Sequence, residues 1–194
     1  MKRVGVLSLQ GDVGEHVAML SALGADAVKV RTLEALESVD ALVLPGGEST
    51  TIAHLLQTSG LSNAVALKLK EEMPVLGTCA GLILLSEEIL DGRSDQWSYG
   101  ALSVSVRRNG YGRQIASFES ELEVKGVGQV PGIFIRAPRI EKVSEDVEVL
   151  ATLDHGDGAG EHPVFVRQGH VWGLSFHPEL SRDTRVHELF LNSL

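Results

Sequence analysis

From Val4 to Leu76 the chain repeats one arrangement: a short, wholly apolar run, a turn, and a segment with helical periodicity. Val4 to Leu9 reads as a buried strand, Gly11-Asp12 as a turn, and Glu15 to Leu23 as a helix that stops at Gly24. Ala27 to Val30 and Ala41 to Leu44 are further strand-like runs, with a short helix around Leu33 to Leu36 between them. Helical patterns follow at Thr51 to Gln57 and Asn63 to Glu72, and then a strand at Val75-Leu76. Strands that are apolar throughout are buried on both faces, and strands joined by helices pair in parallel through right-handed crossovers. The repeat therefore predicts an α/β fold in three layers, an open and mostly parallel sheet with helices on both faces.

Beyond Asp91 the segments shorten and alternate. Leu102 to Val106, Ile133 to Ile135, Val147 to Leu153, Val164 to Arg167 and His170 to Leu174 predict antiparallel strands in the C-terminal half. DHGDGAGEHP, residues 154 to 163, reads as a surface loop, and Arg185 to Leu194 as a closing helix. A chain of 194 residues fits one domain spanning residues 1–194, large enough to bury a core without disulfides. Twenty-six acidic residues against 17 basic ones give a net charge of -9, which opposes binding to nucleic acid. The one basic cluster is Arg107, Arg108 and Arg113. The opening MKRVGVLSLQGD is too short in apolar residues for a signal peptide or a membrane span. A single cysteine fits a reducing compartment, so the expected location is cytoplasmic, without a membrane partner.

That cysteine, Cys79, lies in GTCAG, directly after the apolar run Pro74-Val75-Leu76. In an open parallel sheet, ligands bind beyond the carboxyl ends of the strands. A nucleophile on a tight strand-to-helix turn needs small neighbours, and GTCAG has the G-x-S-x-G elbow pattern with cysteine for serine. A helix predicted over Leu82 to Ile89 puts its positive end near the sulfur and favours thiolate. A lone cysteine is otherwise most often a small buried hydrophobe; the glycines at 77 and 81 favour the reactive reading.

A reactive thiol needs a base. His16 and His54 lie in helical patterns and His155 and His162 flank the loop, positions that suit structural or solvated side chains. His177, in SFHPEL, follows the strand-like VWGLSF. In an extended segment His177 and Glu179 project the same way, Pro178 keeps the stretch from becoming helical, and a carboxylate beside imidazole fixes its tautomer. His-x-Glu also suits two metal ligands, but no third ligand stands at a sensible spacing, so no metal is expected. LPGGEST, 44 to 50, follows a strand, and Gly46-Gly47 lets backbone amides approach a substrate; with the N–H of Ala80 they would serve an oxyanion. The same stretch fits equally well a plain turn in which Ser49 or Thr50 caps a helix.

Together, GTCAG, SFHPEL and LPGGEST resemble the class I, triad-type glutamine amidotransferases. GVLSLQGDVGEH, LPGGESTT, GTCAGLILL, RRNGYGRQ, FIRAPRI and SFHPEL look like the glutaminase subunits of pyridoxal 5'-phosphate synthases, nearly end to end. The resemblance implies a flavodoxin-like sheet and hydrolysis of the L-glutamine side-chain amide. It makes Cys79 the nucleophile, His177 the base and Glu179 its orienting carboxylate, with Gly47 and Ala80 as oxyanion donors. It further implies that Gly46, Gly47, Glu48, Ser49, Arg108, Ile135 and Arg136 hold glutamine. Ammonia would pass to a (β/α)₈-barrel synthase subunit, with Gln10 at that contact, and the glutaminase itself would carry no cofactor. Two rival readings remain. One is a γ-glutamyl hydrolase or peptidase relative with a similar triad. The other is a non-catalytic regulatory binding subunit, against which an intact Cys, His and Glu set argues.

Overall fold

The computed structural model describes residues 1–110, 117–154, 156, 158 and 160–194. Arg113, and His155, Asp157 and Ala159 of the expected loop, lie outside the described residues. The apolar runs of the N-terminal half form β1 (Arg3–Leu7), β2 (Asp26–Val30), β3 (Ala41–Leu44) and β4 (Val75–Thr78). Between them lie α1 (Val13–Ala22), α2 (Leu33–Glu37), α3 (Ser49–Thr58) and α4 (Leu61–Lys70). After β4 come α5 (Ala80–Leu85), β5 (Ser86–Ile89), β6 (Leu102–Arg107), β7 (Ser117–Val124), β8 (Gly128–Ile135) and β9 (Arg139–Val143). The chain closes with β10 (Glu148–Asp154), β11 (Glu161–Gln168), β12 (Val171–Leu174), a single 3-10 turn at Pro178–Leu180 and α6 (Arg185–Leu191).

Seven strands make the main sheet in the order β10-β11-β12-β4-β3-β1-β2. Its middle is parallel, with Val4 opposite Ala41, Leu42 opposite Val75 and Leu174 opposite Thr78. β3 shows why these runs lack alternation. Leu42 and Leu44 enter one core with Ile52, Leu56 and Leu82, whereas Ala41 and Val43 enter the other with Leu20, Val186 and Phe190. Helices α2 to α5 thus cover one face and α1 and α6 the other, and the expected α/β sheet with helices on both faces is present. The three-stranded sheet β5-β6-β9 adds Val104, Val106 and Ile140 to the first core, and the β7-β8 hairpin adds Leu122 and Phe134 to the second.

Three expectations require correction. The helix foreseen over Leu82 to Ile89 stops at Leu85, because the N–H groups of Tyr99 and Ala101 take the carbonyls of Leu84 and Leu85 while Ser86 Oγ donates to the Ile83 carbonyl. Residues 86–89 then pair in parallel with β6. The C-terminal strands are not uniformly antiparallel, since β12 runs antiparallel to β11 but parallel to β4. Finally, the closing helix ends at Leu191, and strands β10 and β11 take Asp154 and Glu161 to Pro163 out of the expected loop. No helix among the described residues is long and apolar enough to cross a membrane.

The carboxyl ends of β1, β3, β4 and β12 all open to one edge of the sheet, the edge where ligands of open α/β sheets bind. Beyond them lie, in turn, Gln10 and Asp12, Gly46 to Ser49, Cys79, and His177. Close approach rather than propensity fixes this edge. A Cβ on Gly81 would lie 2.1 Å from the Leu44 carbonyl oxygen, and one on Gly77 would lie 2.6 Å from the Gly81 carbonyl carbon. Gly81→Ala must therefore push α5 off β3, at about 3 kcal/mol or more. Gly24→Ala, where a Cβ meets nothing within 4 Å at φ +80, should cost only about 1 kcal/mol. Urea denaturation of the two variants measures the difference, and equal midpoints would refute it.

Candidate active site

Cys79 is the residue between β4 and α5, and its backbone has left the common regions: φ 49, ψ -100. Such a conformation costs on the order of 1–3 kcal/mol in a residue with a side chain. It is held from both sides. The Cys79 N–H donates to the Leu174 carbonyl at 2.8 Å, and all six residues of α5 are buried. The strained turn lifts the sulfur out of the sheet, where it lines a cavity of about 350 Å³.

His177 faces it from the segment after β12. Its N–H donates to the Ile133 carbonyl at 2.8 Å, and the ring lies against Gly46, where a Cβ would come within 2.4 Å of His177 Cε1. Nδ1 of His177 is 2.7 Å from Glu179 Oε1, and the imidazole also hydrogen-bonds Cys79. The extended geometry expected for this pair is corrected. Pro178 does not prevent helical structure but opens the 3-10 turn, a position where its missing N–H costs nothing, and the turn brings Glu179 back under His177.

Burial works against the imidazolium, but hydrogen bonds and attraction from Cys79 and Glu179 outweigh it and raise the His177 pKa to about 10. For Glu179 burial pushes the pKa up against the opposing pull of His177. At neutral pH the thiol and imidazole therefore sit as nucleophile and base on one hydrogen bond, with a carboxylate fixing the far nitrogen, an arrangement able to carry acyl transfer.

Of the predicted site residues, Gln10, Gly47, Glu48, Ser49, Cys79, Arg108, Ile135, Arg136 and His177 line the cavity. Gly46 and Glu179 stand behind His177, and Ala80 opens α5, buried at 1% exposure. Gln10 has a structural task on the page: its Oε1 accepts from the Glu48 N–H at 2.9 Å and closes on Gly47, whose φ is +148. Helix α3 is capped by neither Ser49 nor Thr50, as the plain-turn reading had it, but by Glu48, whose Oε2 accepts from the Thr51 N–H at 2.9 Å and from the Thr50 hydroxyl. Glu48 Oε1 receives Arg108 Nη2 at 2.9 Å, so these two opposite charges are already paired with each other. Arg136 has φ 43, a second strained non-glycine residue on the cavity wall.

Sequence reasoning missed two groups. Asp12, taken only as a turn residue, lines the cavity with its Oδ2 3.5 Å from His177 Nδ1. It is the third donor thought to be lacking beside His177 and Glu179, and the donor atoms of the three lie within 4.8 Å of one another. His177 Nδ1 is committed to Glu179, so the cluster orients the imidazole. His16, set aside as a helical residue, is fully buried and reaches Glu179 Oε2 at 3.4 Å. The signal for it was available: a histidine at an inward position of an amphipathic helix, four residues after Asp12, has no apolar reason to be there.

The sequence profile of the SNO glutamine amidotransferase family matches residues 6–194. The chain belongs to that family. Among curated relatives, the pyridoxal 5'-phosphate synthase subunit PdxT of Rhodococcus opacus is 52% identical over 192 residues, covering 97% of this chain and 95% of the relative. The protein of the same name from Mycobacteroides abscessus is 52% identical over 190 residues, with the same coverage. A solved structure titled as a glutamine amidotransferase superposes with a TM-score of 0.89 at 49% identity, over 98% of this chain and 97% of its own. PurLQS from Thermotoga maritima, at 17% identity and a TM-score of 0.70 over 99% of both chains, shares the fold.

Within this family member the buried histidines set opposite pH limits. Because the folded pKa of His177 lies above its unfolded value, its pairing stabilises fully below about 6.5 and the gain is lost as pH rises through about 10. His187, on α6, is lowered to about 4 by burial, so protonation favours the unfolded chain as pH falls from about 6.5 towards 4. Denaturation midpoints measured across that span should be highest near neutrality and fall on both sides. A stability that kept rising above pH 10 would contradict the His177 assignment.

Proposed function

We propose that this chain is the glutaminase subunit of a pyridoxal 5'-phosphate synthase, acting as one unit over residues 1–194. It hydrolyses L-glutamine to L-glutamate and ammonia and hands the ammonia to a synthase subunit for vitamin B6 formation. The observation that carries the reading is the strained Cys79 turn set against His177 and Glu179, in a chain whose family and nearly full-length relatives are glutamine-using. That combination does not favour a peptidase or a non-catalytic regulatory subunit.

The chemistry follows from the side chains present. Cys79 transfers its proton to His177, and the sulfur attacks the side-chain amide carbon of glutamine. The resulting oxyanion is met by backbone N–H groups of Gly47 and Ala80. As the C–N bond breaks, His177 returns the proton to nitrogen and ammonia leaves, with a γ-glutamyl thioester on Cys79. His177 then deprotonates water, which attacks the thioester carbon and releases glutamate. Glu179 stabilises the imidazolium in both steps.

The amino-acid end of glutamine needs an anion for its ammonium and a cation for its carboxylate. Glu48, Ser49, Arg108, Ile135 and Arg136, beside Gly46 and Gly47, supply both, and substrate entry exchanges the Glu48–Arg108 pair for contacts with the ligand. The synthase partner is a (β/α)₈ barrel docking over Gln10, which already holds the 46–48 turn through Glu48 N–H. Docking that pulls Gln10 aside would free this turn and couple ammonia release to the partner. Pyridoxal phosphate is then a product of the assembly and not a cofactor of this subunit, and a free thiol nucleophile suits a reducing cytoplasm.

Glutamate release from L-glutamine by wild type and Cys79→Ala, each with and without the synthase subunit, tests the reading. Turnover should rise with the partner and fall at least roughly 10³-fold in Cys79→Ala. Equal rates for wild type and variant in the assembled complex would overturn it.

A further inference from the structure

Behind Glu179, four elements close around a polar pocket that the thiol and imidazole do not reach. His16 comes from α1, Thr78 from the end of β4, Glu179 from the 3-10 turn and His187 from α6. Three of them have no exposed surface and Glu179 is 3% exposed. His187 Nε2 lies 2.9 Å from His16 Nδ1, His16 Nε2 lies 3.1 Å from Thr78 Oγ1 and 3.4 Å from Glu179 Oε2, and Glu179 Oε1 lies 2.7 Å from His177 Nδ1.

Proton counting gives this row a direction. The 2.9 Å contact between two imidazole nitrogens holds one proton. If His16 Nδ1 carried it, neutral His16 would turn a lone pair towards Glu179 Oε2, and neutral His187 would carry its proton on Nδ1, which is buried without a partner. An orphaned buried N–H and two facing lone pairs are both costly. If His187 Nε2 carries it instead, His16 must hold its own proton on Nε2. That N–H points at Thr78 Oγ1 and at Glu179 Oε2, which has no other hydrogen-bond donor. The group left over at the far end is then a bare imidazole lone pair, the cheaper orphan. Both rings stay neutral, since burial lowers His16, with help from His187 and His177, and burial alone lowers His187.

We propose that His16 and His187 are positioning residues for the Cys79, His177 and Glu179 set. A proton-ordered chain, His187 Nε2–H to His16 Nδ1 and His16 Nε2–H to Glu179 Oε2, locks the carboxylate plane in which Oε1 accepts His177 Nδ1–H. The role rests on the glutaminase reading, while the chain of hydrogen bonds does not. The charged and titratable groups facing it are His177 and Glu179 from the 3-10 turn, Asp12 from the loop before α1, and no Lys or Arg among the described partners. Thr78 precedes Cys79 directly, so the same chain ties the carboxylate to the nucleophile turn.

Two measurements test it. The full chain, labelled with ¹⁵N in histidine, should show His16 and His187 as neutral Nε2–H tautomers between about pH 6 and 9, outside the range where an ordinary histidine titrates unnoticed. An Nδ1–H tautomer at either residue overturns the chain. In the complex with the synthase subunit, His16→Leu should lower kcat by about tenfold or more, a part of what positioned proton transfer contributes, with KM little changed. His16→Gln, whose side-chain amide restores a donor near the Nε2 position, should recover most of the loss. Equal kcat for His16→Leu and wild type overturns the positioning role, as does a loss that His16→Gln fails to recover. Should His16→Leu not fold, His187→Leu stands in for it, and must lower kcat while mixing the His16 tautomers. Absence of turnover in wild type would instead count against the glutaminase reading. The downfield His177 Nδ1–H resonance would then decide the positioning role, shifting in His16→Leu if it holds and staying fixed if it does not.

Discussion

Three backbone segments meet at Gly81: its own helix, the Leu44 carbonyl at the end of β3, and Gly77 in β4, with no space for a Cβ at either glycine. That contact sets how steeply the chain turns out of β4 into α5, and it forces Cys79 to φ 49. The strain, on the order of 1–3 kcal/mol, is small against what the turn makes possible. Leu82, Leu84 and Leu85 are fully buried, and each fully buried leucine contributes roughly 1.5–3 kcal/mol. The apolar helix therefore holds the cysteine in a conformation the residue would not choose. The short helix matters less as a dipole than as an anchor, because α5 has only six residues.

The second constraint is electrostatic. Glu179, His16, His187 and His177 are nearly or fully buried, and a charge there persists only if it is paired. The solution divides the labour. His177 takes the positive charge because it touches Cys79 and Glu179, and His16 and His187 stay neutral because burial dominates there. The imidazole that faces the cavity is thus the ring whose proton is held in place for use, and the two behind it serve as fixed dipoles.

Much of this was legible in the sequence where one physical rule governs one stretch. Uniformly apolar runs marked β1, β3 and β4 because both faces of the sheet are covered, and the glycines of GTCAG marked the turn because only glycine fits the contact with Leu44. The helix at 82–89 was misread because its apolar content continues to Ile89, while its end is decided by Tyr99 and Ala101, residues distant in sequence that take its carbonyls. Strand β7 carries Glu119, Glu121 and Glu123 on its exposed face and so offers no apolar run to find. His177 and Glu179 were paired for the wrong geometric reason, since Pro178 starts a helical turn as readily as it excludes one. Asp12 and His16 were invisible as site residues because their proximity to Glu179 depends on α1 packing beneath the edge of β4, a tertiary fact that no local pattern encodes.

The central claim is that the backbone contact at Gly77, Gly81 and Leu44 presents Cys79 to His177 as a reactive nucleophile for glutamine. The most direct measurement is mass spectrometry of the full chain treated with a glutamine analogue carrying an electrophile at the amide position. The account predicts a single adduct, on Cys79, formed competitively with L-glutamine and lost when His177 is replaced by Ala. An unmodified Cys79 in the assembled complex, or labelling that free glutamine does not suppress, would contradict it.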